Sequence, residues 1–251
     1  MRTQMNGYVV SDDDAEVYRF FGYGVVSPRD VRQAIADNPE GETLTLEVNS
    51  GGGNMFAGYE IYTILKAASI PTEVEIQSLA GSAMSVAAIG ADKVHASPVA
   101  QFMIHLPSLR TEGDSVEHKR SLQALNSFKA SVLNAYELKC AGKKTRSELD
   151  AMLRAETWMP VQDAMAAGFV DDVLYDGEGV IASQAVMCAQ SGIRALATAG
   201  GLPDAAELRQ RKAAAGAAAG GAQGAGNPPT PEDNTSKLAL AKAKLELLKN
   251  I

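Results

Sequence analysis

Short segments with the two-residue period of a β-strand take turns with longer segments of helical period from residue 15 to residue 167, and this alternation constrains the fold more than any other feature. Thr43 to Val48 (TLTLEV) alternates polar and apolar side chains and predicts a strand. Asn54 to Ala68 repeats apolar residues at helical spacing, with Met55, Tyr59, Tyr62 and Leu65 on one face. Further strands are predicted at Ala15 to Phe20, Thr72 to Ile76, Lys93 to Ala96 and Gln101 to Ile104. Ser27 is set to cap a helix in SPRDVRQAIAD, with Pro28 at its first position. Helices are also predicted for Ser82 to Ala91, Val116 to about Ala141, Ser147 to Arg154 and Val161 to Ala167. Strands separated by helices pair through crossovers, so the expected class is α/β, a mainly parallel sheet with helices packed on it.

Composition changes near residue 200. Residues 213–226 (AAAGAAAGGAQGAG) hold eight Ala, five Gly and one Gln, and NPPTPEDNTS follows. Side chains this small bury too little to offset the entropy of ordering the chain, so 200–235 is expected to be a flexible linker. In SKLALAKAKLELLKN, Leu238, Ala241, Leu245 and Leu248 share one helical face with lysines opposite, so 236–251 reads as an amphipathic helix. The expected layout is a globular body over 1–199, a tether and a terminal helix.

Thirty acidic against twenty-three basic residues give a formal net charge of −7. That balance argues against a nucleic-acid partner, whose phosphates require a basic surface. No run is long and apolar enough for a transmembrane helix, and the first twenty residues lack the apolar stretch of a signal peptide. Cys140 and Cys188 make no CxxC and have no paired histidine, which points away from zinc and from a disulfide framework. The expectation is a soluble cytoplasmic protein with reduced thiols, no membrane partner and no metal or cofactor.

Three junctions hold residues able to do chemistry. Asn49-Ser50-Gly51-Gly52-Gly53 follows TLTLEV directly. Consecutive glycines let the backbone turn abruptly and present N–H groups, which suits a carbonyl oxygen becoming negative; the same residues equally make a turn that binds nothing. In SLAGSAMS, Ser82 starts a predicted helix among side chains too small to shield it, as an exposed hydroxyl or simply an N-cap. This is not the GxSxG elbow, because Ala80 stands two residues earlier. His105 closes the short apolar strand of MIHLP, and Pro107 stops the strand there. A neutral imidazole at that place can accept a serine proton, or close a sheet edge as an ordinary hydrogen-bonded side chain. The other histidines, His95 and His118, have no nucleophile beside them in sequence.

Taken together, VNSGGGNMFAGYEIYTILK, SLAGSAMSVAAIGADKV, MIHLPS and AETWMPVQDAMAAGFVD resemble the Clp-type serine peptidases, the ClpP family, in order and spacing over residues 15 to 175. Within that family the chain is most similar to the head maturation proteases of tailed phages and prophages. The resemblance implies the ClpP/crotonase-like fold of repeated β-β-α units, with the long helix near 116–141 as its handle. It implies Ser82 as nucleophile, His105 as general base, and the N–H groups of Gly52 and Ala83 as oxyanion hole. Gly51 stands where the family usually has proline. The family's third triad residue, an aspartate, aligns with Glu156 of AETW, one methylene longer. Asp150 is its competitor, and Asp163 is less suited because it sits in the following helix. A homo-oligomeric ring is implied too, with a polypeptide substrate, a scaffold or capsid protein cut during head maturation inside an immature shell in the host cytoplasm, and no ATPase partner.

Three rival readings share these residues. An acyl-CoA enzyme of the crotonase superfamily has the same fold and a two-N–H oxyanion hole, but needs neither Ser82 nor His105 at these places. A capsid-assembly or scaffold protein could retain the fold without catalysis. A housekeeping Clp proteolytic subunit would fit the body, although the extension beyond residue 200 is foreign to it.

Overall fold

In the computed structural model, which describes residues 1–175 and 202–220, the alternation of the sequence becomes one sheet of eight strands flanked by helices. The strands are β1 (Arg2–Val9), β2 (Val25–Val26), β3 (Leu44–Gly53), β4 (Thr72–Gly81), β5 (Lys93–Ala96), β6 (Gln101–Ile104), β7 (Thr157–Pro160) and β8 (Asp172–Val173). The helices among the described residues are α1 (Asp12–Phe20), α2 (Pro28–Asp37), α3 (Met55–Lys66), α4 (Ala83–Ala88), α5 (Ser115–Cys140), α6 (Arg146–Arg154), α7 (Val161–Ala167) and α8 (Ala205–Gly220). The strand order is β2-β1-β3-β4-β5-β8, parallel throughout, so the expected α/β class with a mainly parallel sheet is the observed one. Among the described residues, only β6 with β7 is antiparallel.

Strand β4 forks. Glu73 to Ile76 pair with Lys93 to Ala96 of β5, whereas Leu79 to Gly81 pair with Gln101 to Met103 of β6. The second half of β4 therefore delivers whatever follows Gly81 to the side of β6. Strand β3 runs on through the glycine triplet, with Ser50 beside Ala80 of β4. The glycine triplet and the Ser82 junction, two of the three named from sequence, thus end at one place.

Alternation decides the faces of the sheet. Leu44, Leu46, Val48, Val74, Ile76 and Val94 are buried in one core with Val31 of α2, Ile61 and Leu65 of α3, and Met84 and Ala87 of α4. Each fully buried aliphatic side chain of this kind contributes about 1.5–3 kcal/mol. On the intervening positions Arg2 reaches Glu47 (2.8 Å) and clasps Glu75. The paired carboxylates keep its guanidinium firmly charged.

Residues 15–20 depart from the predicted strand: they belong to α1. Ser11 caps that helix by accepting from the Asp14 amide, and Asp12, Asp13 and Asp14 in its first turn suit the positive end of the helix. A short apolar alternation in AEVYRF was outweighed by a start signal lying just upstream. Helix α2 begins as expected, with a Ser27–Asp30 capping box and Pro28 at its head. β5, β6 and α7 occupy their predicted residues, and the long helix runs Ser115–Cys140, capped by Asp114.

Only the C-terminal half of α5 is packed, through Val132, Leu133, Tyr136 and Cys140. Its first turns project, with Val116 and Leu122 exposed. Helix α8 lies inside the stretch 200–235 expected to be a flexible linker. Leu208 is fully buried against Val10, Ala15, Val17, Tyr18 and Phe21, a satellite core separate from the main one. Tyr18 donates to the Pro203 carbonyl (2.8 Å), Arg209 pairs with Asp14 (2.5 Å), and Lys212 pairs with Glu16. The anchors sit in LPDAAELRQRK, ahead of the Ala/Gly run, and alanine itself is the best helix former. The amphipathic segment 236–251 and Cys188 lie outside the described residues. Among those described, no helix is long and apolar enough to cross a membrane.

Candidate active site

Ser82 is the single residue between β4 and α4, and its backbone is unusual. It has φ 52° and ψ −121°, a region that L-residues with a Cβ avoid, at a cost of order 1–3 kcal/mol. Such a conformation persists only where neighbours over-determine it. The Ser82 N–H donates to the Met103 carbonyl of β6 (2.9 Å). Its own carbonyl accepts from the amides of Ser85 (3.0 Å) and Val86 (3.4 Å) and from the Ser85 hydroxyl (2.5 Å). The result turns the Ser82 side chain out of the sheet edge, half-buried, toward β6.

His105 follows the last residue of β6, two positions after Met103. Its Nε2 lies 2.7 Å from Ser82 Oγ. With the imidazole proton on Nδ1, Nε2 accepts the serine hydroxyl, the geometry a general base needs. The two residues singled out from sequence are therefore in direct contact, brought together by the pairing of Leu79–Gly81 with Gln101–Met103.

The expected third residue is not engaged. Among the described residues, no side chain accepts from His105 Nδ1. The register of β6 with β7 ends where Ile104 pairs with Thr157, and His105 and Glu156 each lie one residue beyond that last rung. Glu156 itself is exposed, has φ 50°, and accepts from Trp158 Nε1 at 3.4 Å. Asp150, the competitor, is held by Lys129 (2.7 Å) and Arg154 (2.7 Å), which keep its carboxyl below the usual range and occupy it elsewhere. Asp163 is exposed in the first turn of α7.

The glycine turn does close on Ser82. A Cβ at Gly52 would lie 2.7 Å from both Ser82 Cβ and the Gly81 oxygen and 2.9 Å from the Ala83 nitrogen, and Gly52 has φ 101°. Its N–H, expected in the oxyanion hole, donates to Ser50 Oγ (3.1 Å). Gly53 borders the cavity beside Ser82. The Ala83 N–H is the first of α4 and has no acceptor within the helix.

That cavity, about 60 Å³, is walled by Met55 and Tyr59 of α3, Val86 of α4, and Val132 and Tyr136 of α5. Burial pushes the Tyr59 phenol up to about 12 and the Tyr136 phenol well above its ordinary range, so both stay protonated. Sequence reasoning named none of these as site residues. Met55/Tyr59 and Val132/Tyr136 are each an i, i+4 pair, a spacing that marks one face of a helix without saying what the face meets. Among the described residues, no three His, Cys, Asp or Glu side chains gather as they would around a metal ion.

The family described as Clp protease matches residues 34–177, more than half the chain. ATP-dependent Clp protease proteolytic subunit 1 of Chlamydia trachomatis is 27% identical over 143 residues, covering 55% of this chain and 72% of that protein. The protein of the same name from Chlamydia pneumoniae is 24% identical over 139 residues, covering 54% and 72%. Among solved structures, a point mutant of ClpP1 from Listeria monocytogenes superposes with a TM-score of 0.56 at 15% identity, covering 69% of this chain and 90% of that one. The shared fold is that of ClpP. β1, α1, β2 and α8 fall outside the family match.

Proposed function

The chain belongs to the Clp protease family, and from that premise we propose that it is a serine endopeptidase acting through an acyl-enzyme. The observation that carries this reading is the 2.7 Å contact between Ser82 Oγ and His105 Nε2, with Ser82 held in a conformation that turns its hydroxyl outward. Ser82 Oγ attacks a peptide carbonyl while His105 Nε2 takes its proton. The developing oxyanion meets the N–H groups of Ala83 and Gly52, the second of which leaves Ser50 Oγ to reach it. Removing one such donor typically costs ~10²–10³ in rate. The imidazolium then protonates the leaving amine, and a water activated by the same nitrogen releases the acyl group. Glu156 is the carboxylate that orients His105, since both lie one residue beyond the last rung of β6 and β7. To do so it leaves Trp158 and turns toward Nδ1.

Covalent labelling with a fluorophosphonate probe tests this. A single adduct on Ser82, absent in Ser82→Ala and His105→Ala, is the expected result. A folded wild type that takes no label would overturn it.

The finer reading is a head maturation protease whose substrates are scaffold or capsid polypeptides. The resemblance of AETWMP and GADKV to the phage branch supports it, as does an extension beyond residue 200 suited to recruitment into an assembling shell. Assembly into a homo-oligomeric ring accompanies it, supported by the projecting turns of α5 with Val116 and Leu122 exposed. A second reading, a Clp-type proteolytic subunit driven by an ATPase, is favoured by the names of the chlamydial relatives. Cleavage of an unfolded test polypeptide by the purified full chain alone supports the first; dependence on an added Clp ATPase supports the second.

A further inference from the structure

We infer that Ser85 and Tyr136 are positioning residues for Ser82, a two-hydroxyl relay through which helix α5 holds the nucleophile's backbone in its strained conformation. The inference rests on the serine-peptidase reading above. Ser85 Oγ lies 2.5 Å from the Ser82 carbonyl oxygen and 2.7 Å from the Tyr136 hydroxyl. Proton accounting fixes the direction. The Ser82 carbonyl can only accept, so the Ser85 proton goes to it, and the Tyr136 proton goes to Ser85 Oγ. Burial keeps the Tyr136 phenol protonated, so it remains a donor.

Both hydroxyls are sealed in the core. Ser85 is 0% and Tyr136 1% exposed. The Tyr136 ring is fixed edge-on to Phe169, with centroids 5.2 Å apart. α4 is otherwise apolar (AMSVAA), so a hydroxyl in it must find a buried partner. Tyr136 supplies that partner, and the pair's remaining proton is directed at the Ser82 carbonyl, part of the strained backbone that carries the Ser82 side chain. The Ser85 hydroxyl is also the shortest of the three donors on that carbonyl. Tyr136 also lines the cavity beside Ser82. One side chain of α5 thus lines the cavity and, through Ser85, supports the nucleophile's backbone.

The test compares full-length wild type, Ser85→Ala, Tyr136→Phe and the double variant, by fluorophosphonate acylation of Ser82 over a range of probe concentration and pH. Circular dichroism confirms the fold, and Tyr136→Phe keeps the packed ring should Ser85→Ala fail to fold. The expected result is a roughly 10- to 100-fold fall in the acylation rate constant for Ser85→Ala, a smaller fall for Tyr136→Phe, and a double variant no slower than Ser85→Ala alone. Probe affinity and the pH midpoint of acylation should stay where they are in wild type. Folded variants that acylate at the wild-type rate overturn the relay. So does a loss confined to affinity, a moved pH midpoint, or losses that multiply in the double variant. A wild type without label sinks the peptidase reading itself, an outcome distinct from all of these.

Discussion

The amide of Ser82 donates to the carbonyl of Met103 at 2.9 Å, two residues before the histidine whose Nε2 meets the Ser82 hydroxyl. A single strand, β6, therefore holds the backbone of the nucleophile and presents its base. The 2.7 Å contact follows from strand register more than from any loop, which suits chemistry sensitive to small displacements.

Glu156 and His105 each lie one residue beyond the last paired rung of β6 and β7, which makes a sharp prediction for the acid. Glu156→Gln should lower peptidase turnover by about 10² or more, because an amide cannot stabilise the imidazolium as a carboxylate does. Asp150→Asn should leave turnover unchanged, since that carboxylate is occupied by Lys129 and Arg154. Steady-state kinetics on the two variants decides it, and the reverse pattern would assign the role to Asp150.

Neighbouring glycines should behave oppositely. A Cβ at Gly52 meets Ser82 and Ala83 below 3.0 Å at a positive φ, so Gly52→Ala should abolish acylation and destabilise the fold by about 1–3 kcal/mol. At Gly51 a Cβ meets only Leu79 Cδ2, at 4.0 Å, so Gly51→Ala should keep activity and add about 0.4–1 kcal/mol by restricting the unfolded chain. Denaturant midpoints and labelling rates separate the two.

The satellite core can be tested apart from the site. Leu208→Ala should cost about 2 kcal/mol or more and leave 202–220 open to limited proteolysis. Labelling of Ser82 should not change, because Leu208 packs on α1 and touches no wall of the cavity. Slower labelling in Leu208→Ala would show that the two cores are coupled.

Cys140 predicts an alkaline limit. Burial raises its thiol from about 9 to about 11, so the native state keeps a proton that the unfolded chain has already lost. Its contribution is fully present below pH 9 and is lost as the pH rises toward 11. Urea midpoints across that window should fall for wild type and fall less steeply for Cys140→Ala; parallel curves would dismiss the effect.

Much of this was legible in the residues. TLTLEV and KVHA declared their strands by alternation, QFMI by a short apolar run stopped at Pro107, Ser27 and Pro28 declared a helix start, and Ser82 and His105 stood out as chemistry at element ends. What stayed hidden was of two kinds. β2 and β8 are two residues long and carry no period, and β1 opens on three consecutive polar residues, Arg2, Thr3 and Gln4, and holds Gly7, which breaks the alternation around Met5 and Val9. The rest depended on distance along the chain. The φ of Ser82, the Met103 carbonyl, the Ser85–Tyr136 contact and the occupation of Asp150 by Lys129 all join residues whose meeting no local pattern records. The Glu156 side chain belongs to this class too: alignment chose the position, while the side chain lies on Trp158.

The fork in β4 has a consequence for how the molecule breathes. Its first half leans on β5 and through it on β8, while its second half leans on β6 and β7. Amide exchange in the β5–β8 wing can therefore quicken without loosening the rungs that carry Ser82 and His105, and the fold can lose protection at one margin while the reactive pair stays in register.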